Sequence, residues 1–224
     1  LHRTLVMRYF NLLKPFLFIL LFFSGLVWFA IASFNGLDMR TFVGFLKPLP
    51  QVVTADVALS FVFLKWGWKW KLFQGWLVPF PDLNGTWQGH IQTNWRDENN
   101  DVPGPIPTIL TIKQTFFWAS CVMRTAEMES HSYAEDFRID KERQIRQICY
   151  TYTSKPSSRH RHRSTPHDGT ILFNIIENPE RKLTGEYWTQ RQSTGSVKLT
   201  FYSKDLLEEL PDEMRSHPMG SNDL

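Results

Sequence analysis

Two apolar runs, Pro15 to Phe34 and Leu49 to Trp66, constrain this chain more than anything else in it. A bilayer core about 30 Å thick is crossed by roughly 20 apolar residues at 1.5 Å of helical rise each, and the first run supplies that length without one charged side chain. The second run is shorter and carries Asp56. It is closed, however, by Lys65-Trp66-Gly67-Trp68-Lys69-Trp70-Lys71. Amphipathic rings alternating with ammonium groups suit a membrane–water interface, where the rings lie at headgroup depth and the amines reach water. The pattern predicts a two-helix transmembrane hairpin within residues 1–80. The competing reading is a cleaved signal peptide, because Ala30-Ile31-Ala32 has the form of a cleavage site, but the apolar run exceeds the roughly 7–15 residues of a signal core.

The flanks predict orientation. Arg3, Arg8 and Lys14 precede the first run and Lys65, Lys69 and Lys71 follow the second, whereas the connector holds only Arg40 and Lys47 around Asp38. Positive charge stays on the cytoplasmic side, so both termini are expected in the cytoplasm of a cell whose inner membrane the hairpin crosses. Asp56 and Ser60 lie four residues apart on one helical face, and polar groups on one stripe hold membrane helices together. They are candidates for the face through which copies of the chain pack; the alternative is an Asp56 near the start of the helix that interfacial water reaches.

After Trp76 the periodicity changes from helix to sheet. In Trp87 to Trp95 one face reads Trp, Gly, Ile, Thr, Trp and the other Gln, His, Gln, Asn, which is strand alternation. Further strands are expected at Ile109 to Phe117, Trp118 to Thr125, Ser130 to Ile139, Gln144 to Thr153, Thr170 to Ile176, Leu183 to Arg191 and Val197 to Ser203. Eight short strands without a long amphipathic helix predict an antiparallel up-and-down β-barrel over residues 81–204, since closure removes exposed sheet edges. Residues 205–224 read as a polar tail, disordered beyond a short helix at Leu206 to Leu210.

An eight-stranded barrel is either filled by side chains or holds one small ligand. Leu183, Gly185, Tyr187, Thr189 and Arg191 share one face by alternation, which sends a ring, a hydroxyl and a guanidinium toward one end of the interior. A phosphate or carboxylate would satisfy that guanidinium with a bidentate fork, and bases would stack on aromatic faces. The alternative is an Arg191 that reaches solvent and pairs with a surface Glu, and residues alone leave both readings open. Tyr150 and Tyr152 alternate on a second face, as ligand contacts or as ordinary core. Trp87 suits a plug at a closed barrel end, a structural role. The loop Lys155 to His167, with Arg159, His160, Arg161, His162 and Arg163, covers an anionic ligand, lies on anionic lipid headgroups or is a solvated loop with no role.

Net charge is +3 from 25 basic and 22 acidic residues, too balanced for a DNA- or RNA-binding surface. Cys121 and Cys149 have no metal-ligand spacing and read as small buried thiols in a reducing compartment. The histidines lack a metal pattern, and no phosphate loop, nucleophile turn or paired carboxylates occur. Neither an enzyme nor a bound metal or cofactor is expected.

Taken in order, two transmembrane helices, Asn84-Gly85-Thr86-Trp87-Gln88-Gly89, Tyr150-Thr151-Tyr152 with Lys155-Pro156, His167-Asp168-Gly169-Thr170, and Leu183-x-Gly185-x-Tyr187-Trp188-Thr189-x-Arg191 before Thr194-Gly195 form a familiar series. It resembles the membrane-anchored minimal β-barrel effectors of CBASS, the bacterial cyclic-oligonucleotide-based antiphage signalling system. The resemblance covers anchor and barrel. It implies a barrel that binds a cyclic dinucleotide made by a CD-NTase during infection, with Tyr187, Thr189 and Arg191 as ligand contacts. It further implies a ligand-induced homo-oligomer that disrupts the membrane in abortive infection. A membrane-tethered lipid or fatty-acid carrier is the second expectation, and it would want an almost wholly apolar interior with one Arg at the carboxylate.

Overall fold

The computed structural model describes the chain except residues 1, 39, 97–99, 159–163, 216–217 and 219–224, and of residues 2–14 only the backbone. The chain divides into two compact units, Leu1–Pro81 and Asp82–Leu224.

In the first unit, α1 (His2–Phe34) and α3 (Leu49–Lys65) form an antiparallel pair joined through the short α2 (Phe42–Leu46). Two stretches, Pro15–Phe34 and Phe42–Lys65, are long and apolar enough to cross a membrane. Three contacts define the pairing of the helices. Phe16 meets Phe63 with ring centroids 5.3 Å apart, Ser24 Oγ donates to Asp56 Oδ2 at 2.7 Å, and Trp28 packs on Phe45 while its Nε1 donates to the Phe45 carbonyl at 3.0 Å. In the two contacts between α1 and α3 the sum of paired residue numbers is nearly constant, as an antiparallel register requires, and the third ties α1 to α2. The α2 turn forms because Thr41 caps it, its side chain accepting from Gly44 N at 3.1 Å, and Pro50 opens the first turn of α3, where a missing N–H costs nothing.

The second unit is an eight-stranded antiparallel barrel: β1 (Gly85–Thr93), β2 (Ile106–Gln114), β3 (Ala119–Arg124), β4 (Met128–Asp140), β5 (Ile145–Pro156), β6 (His167–Ile176), β7 (Lys182–Thr189) and β8 (Thr194–Ser203). Each strand pairs with its sequence neighbours and β8 closes on β1, so the order is up-and-down without a free edge. Alternation fills the interior with Leu110, Ile112, Ile148, Tyr150, Ile171, Phe173, Leu183, Val197 and Leu199.

Trp87 lies on the inner face near the start of β1, 1% exposed, with Phe201 edge-on at 5.3 Å and its Nε1 donating to the Leu83 carbonyl. The guanidinium of Arg181 sits 5.0 Å from the Trp87 ring and 4.2 Å from that of Phe201. These residues stop the barrel at the end where β1 begins. The other end carries the connections β1–β2, β3–β4, β5–β6 and β7–β8, and is the mouth.

Three expectations are corrected. Residues 205–215 are not a free tail. Ile109 and Thr111 point outward from β2 and both are buried, Thr111 where the segment meets it at Leu207. Thr111 Oγ1 and Arg124 Nη1 donate to the Leu207 carbonyl at 2.9 and 3.4 Å, Leu207 N donates to Thr86 Oγ1, and Leu210 is buried. The isolated polar composition hid an apolar pair, Leu207 and Leu210, that needed a sheet face to cover. Cys149 also differs from the buried thiol expected. It alternates with Ile148 and Tyr150, so it lies on the outer wall and is only half-buried, whereas Cys121 is fully inside and burial pushes its thiol well up. Finally, Phe116 to Trp118 belong to the turn between β2 and β3 and not to either strand.

Candidate functional site

At the mouth, the barrel encloses a cavity of about 180 Å3. Its deeper wall is apolar, with Ile91, Met123, Ile171 and Val197, and its upper wall is polar, with Thr93, Ser130, Ser154, Tyr152, Tyr187, Thr189 and Arg191.

Both tyrosines stand where the opposing strand offers a glycine. Tyr152 is paired with Gly169 across β5 and β6, and Tyr187 with Gly195 across β7 and β8. A Cβ on Gly169 would fall 2.5 Å from the Tyr152 hydroxyl; one on Gly195 would fall 2.6 Å from the Tyr187 ring and 2.3 Å from the Gln92 carbonyl. The missing methyl lets each ring lie across the neighbouring strand and leaves the cavity open. Burial pushes both phenols upward, with Arg191 pulling in the opposite direction and Thr93 hydrogen-bonded to Tyr187. Both therefore stay protonated and can donate to an anion.

Arg191 reaches the site by a different route from strand alternation. Strand β7 ends at Thr189, and Gln190 to Ser193 form the hairpin turn, with Gln190 N donating to the Asp168 carbonyl and Gln192 at φ 61°. The Thr189 hydroxyl is held inside this turn, 2.7 Å from Ser193 Oγ. From the turn, Arg191 Nη1 donates to Ser164 Oγ at 3.2 Å and Nη2 lies 3.4 Å from His167 Nε2. Among the described residues it forms no ion pair with a carboxylate, so the surface-Glu alternative has no partner there. Partial burial lowers the Arg191 pKa, but a guanidinium remains charged.

Of the five expected ligand contacts, the structure brings Tyr152, Tyr187, Thr189 and Arg191 together around one cavity. Tyr150 is outside its lining. It is 2% exposed one layer deeper, with its ring 6.1 Å from that of Tyr152 and 6.2 Å from Phe173. The basic residues 159–163 lie outside the described residues. Sequence reasoning missed Ser130, Ser154, Ser164 and His167 as lining residues. Each comes from a different strand end or loop, and only closure of the barrel gathers them.

His167 is buried on the inner face at the start of β6, and its Nδ1 lies 3.1 Å from the Thr165 carbonyl. Burial lowers its pKa from 6.5, and Arg191 adds to that, while the Thr165 bond and Asp168 oppose it. The unfolded chain then binds a proton that the folded barrel resists, so stability is full above about pH 6.5 and falls as pH drops through the folded value. Denaturation curves between pH 5 and 7.5 should show this slope, and His167→Gln should flatten it.

Residues 78–200 match the family model described as Cap15, cyclic dinucleotide receptor domain. The chain is also 26% identical over 157 residues to the CD-NTase-associated protein 15 of Staphylococcus schleiferi, across 70% of this chain and 80% of that protein.

Proposed function

The chain belongs to the Cap15 cyclic dinucleotide receptor family, and from that premise we propose that it is a non-catalytic antiphage effector whose barrel mouth takes a cyclic dinucleotide and thereby drives its membrane helices to associate and breach the inner membrane. The observation that carries this reading is the Arg191 guanidinium at the cavity rim, held by the Ser164 hydroxyl and the His167 imidazole and, among the described residues, in no ion pair with a carboxylate, with Glu127 the one described acid in the cavity lining. A cation held this way favours an anionic ligand, since its charge is not already compensated. Cavity size adds to it. An engineered cavity of about 150 Å3 takes benzene, whereas sites that bury a whole drug-sized molecule run to roughly 300–1,000 Å3. One base would fit inside between Tyr152 and Tyr187, leaving a phosphate at the rim with Arg191 and Thr189. Tyr150 supports Tyr152 from behind. A fatty acid would lay its chain against the hydroxyls of Ser130, Ser154 and Thr93, where an alkyl chain favours an apolar wall.

The reading requires the barrel to share a compartment with the cytoplasmic CD-NTase. Reporter fusions after Gly36 and after Leu224 should register periplasm and cytoplasm respectively; a periplasmic C-terminus would defeat the function proposed.

Ligand-driven association would act through the helices. Asp56 lies about 10 Å along α3 at 1.5 Å per residue, with Ser60 one turn on, and its carboxylate is bound to Ser24 of the same chain. A carboxylate near the bilayer centre costs roughly 2.5–3.5 kcal/mol on insertion scales unless it is satisfied by protein or water. One Ser hydroxyl leaves acceptor capacity for a neighbouring copy. Asp56→Leu, inserted and expressed normally, should retain dinucleotide binding while losing ligand-induced association on native gels and toxicity in cells. Undiminished association would remove Asp56 and Ser60 from the interface.

A further inference from the structure

The cradle that holds Arg191 contains a feature the ligand reading does not require: a buried histidine as acceptor for a guanidinium. A guanidinium only donates. The contact at 3.4 Å therefore makes His167 Nε2 the acceptor, which places the ring proton on Nδ1, where the Thr165 carbonyl stands 3.1 Å away to receive it. Two independent contacts thus select the same tautomer. Ser164 Oγ receives the other terminal nitrogen of Arg191 at 3.2 Å, so residues on one short stretch hold both arms of the fork.

The neighbouring acid shows why an imidazole suits this position. Asp168, next in sequence, alternates to the outer wall, exposed, where Thr153 Oγ1 donates to its Oδ1 at 2.7 Å. A carboxylate on the inner face would orient Arg191 equally well but would cancel the charge an anion needs. A neutral imidazole orients without cancelling. It also limits a conformational cost, because a free Arg side chain on a turn surrenders rotamer entropy when it is fixed, and fixing it in advance spares the ligand that loss.

We infer that His167, in its neutral Nδ1–H form, is a positioning residue that holds Arg191 at the cavity rim in the geometry an anionic ligand meets. The inference rests on the ligand reading above for its consequence, and on the His167–Arg191 contact for its basis.

The test uses the full chain in detergent micelles, titrated calorimetrically with cyclic di-AMP, cyclic di-GMP and cyclic GMP–AMP. His167→Leu, which offers no acceptor, should weaken binding of the preferred dinucleotide about fivefold to tenfold. His167→Gln, whose side-chain oxygen can accept from Arg191, should stay within about threefold of the parent. In the Arg191→Ala background His167→Leu should have no further effect, because there is nothing left to position. An equal loss in both backgrounds, or a Gln variant as weak as the Leu variant, would overturn the positioning role. The contact itself is read without ligand or substitution at His167, from imidazole nitrogen NMR of the unligated chain. A His167 signal in the Nδ1–H tautomer that changes in Arg191→Ala supports it, and an Nε2–H tautomer contradicts it. If the parent binds none of the three dinucleotides, the ligand reading fails while the tautomer still decides the contact.

Discussion

Arg191→Ala is expected to weaken cyclic dinucleotide binding by about 30-fold or more while leaving the barrel folded. Hydrogen bonds to charged groups contribute about 1.5–3 kcal/mol, and each 1.4 kcal/mol is a factor of ten in affinity. Arg191 is partly exposed on a turn after β7 and contributes nothing to the inner core, so its described losses on truncation are two bonds, to Ser164 and His167. The affinity should fall and the melting temperature of the unligated chain should hardly move. Arg191→Lys should recover part of the loss, since an ammonium restores charge but not the planar fork. Calorimetric titration of the three proteins checks this; unchanged affinity in the Ala variant would remove Arg191 from the site.

The complementary expectation concerns the opposite end of the barrel. Trp87→Ala should cost about 3–5 kcal/mol, the usual range for deleting a fully buried large aromatic side chain. The ring is in contact with Phe201 and Arg181, and its indole N–H is bonded to the Leu83 carbonyl, so truncation leaves a void and an orphaned carbonyl as well as lost area. For a domain of this size that corresponds to a fall in melting temperature of roughly 10–20 °C. Trp87 is not among the residues lining the mouth cavity. Affinity measured well below the new melting temperature should therefore stay near that of the parent. A variant that loses binding but not stability would place Trp87 in the ligand site and refute the division between a plugged end and an open one.

The two ends differ in how much of them the sequence reveals. Strand alternation identified the inner faces of β1, β5 and β7 because the period of two is local, and it placed Trp87, Tyr152 and Tyr187 inward. Boundaries moved where turn chemistry intervened. Strand β6 begins at His167, ahead of the expected Thr170, because its pairing with Ser154 carries it past a loop-like Ser-Thr-Pro stretch. Strand β7 stops at Thr189, so Arg191 arrives by way of a turn. The glycines quoted in the motif series acquire a reason only when their partners are known: Gly169 and Gly195 are the floor under two rings, and register across strands is not written in either segment alone. Similarly, Asp56 was legible as an unusual carboxylate in an apolar run, but its Ser24 partner, 32 positions away, required the helix pairing. The apolar covering role of Leu207 and Leu210 needed the outer face of β2. Function in the general sense came from the series of motifs taken together, since no single motif in it carries the chemistry.

The central claim is that the barrel mouth is the receptor for a cyclic dinucleotide, and thermal unfolding of the full chain in micelles tests it most directly. The full chain is the proper sample, because Leu207 is hydrogen-bonded to Thr86, Thr111 and Arg124 of the barrel. A ligand at 100 times its dissociation constant stabilises the folded state by about 2.7 kcal/mol. The account predicts that at least one of cyclic di-AMP, cyclic di-GMP and cyclic GMP–AMP raises the barrel transition by an amount of that order, that Arg191→Ala at the same ligand concentration cuts the rise to about a third or less, and that long-chain fatty acids leave the transition unchanged. Stabilisation by fatty acids with no response to any of the three dinucleotides would contradict it.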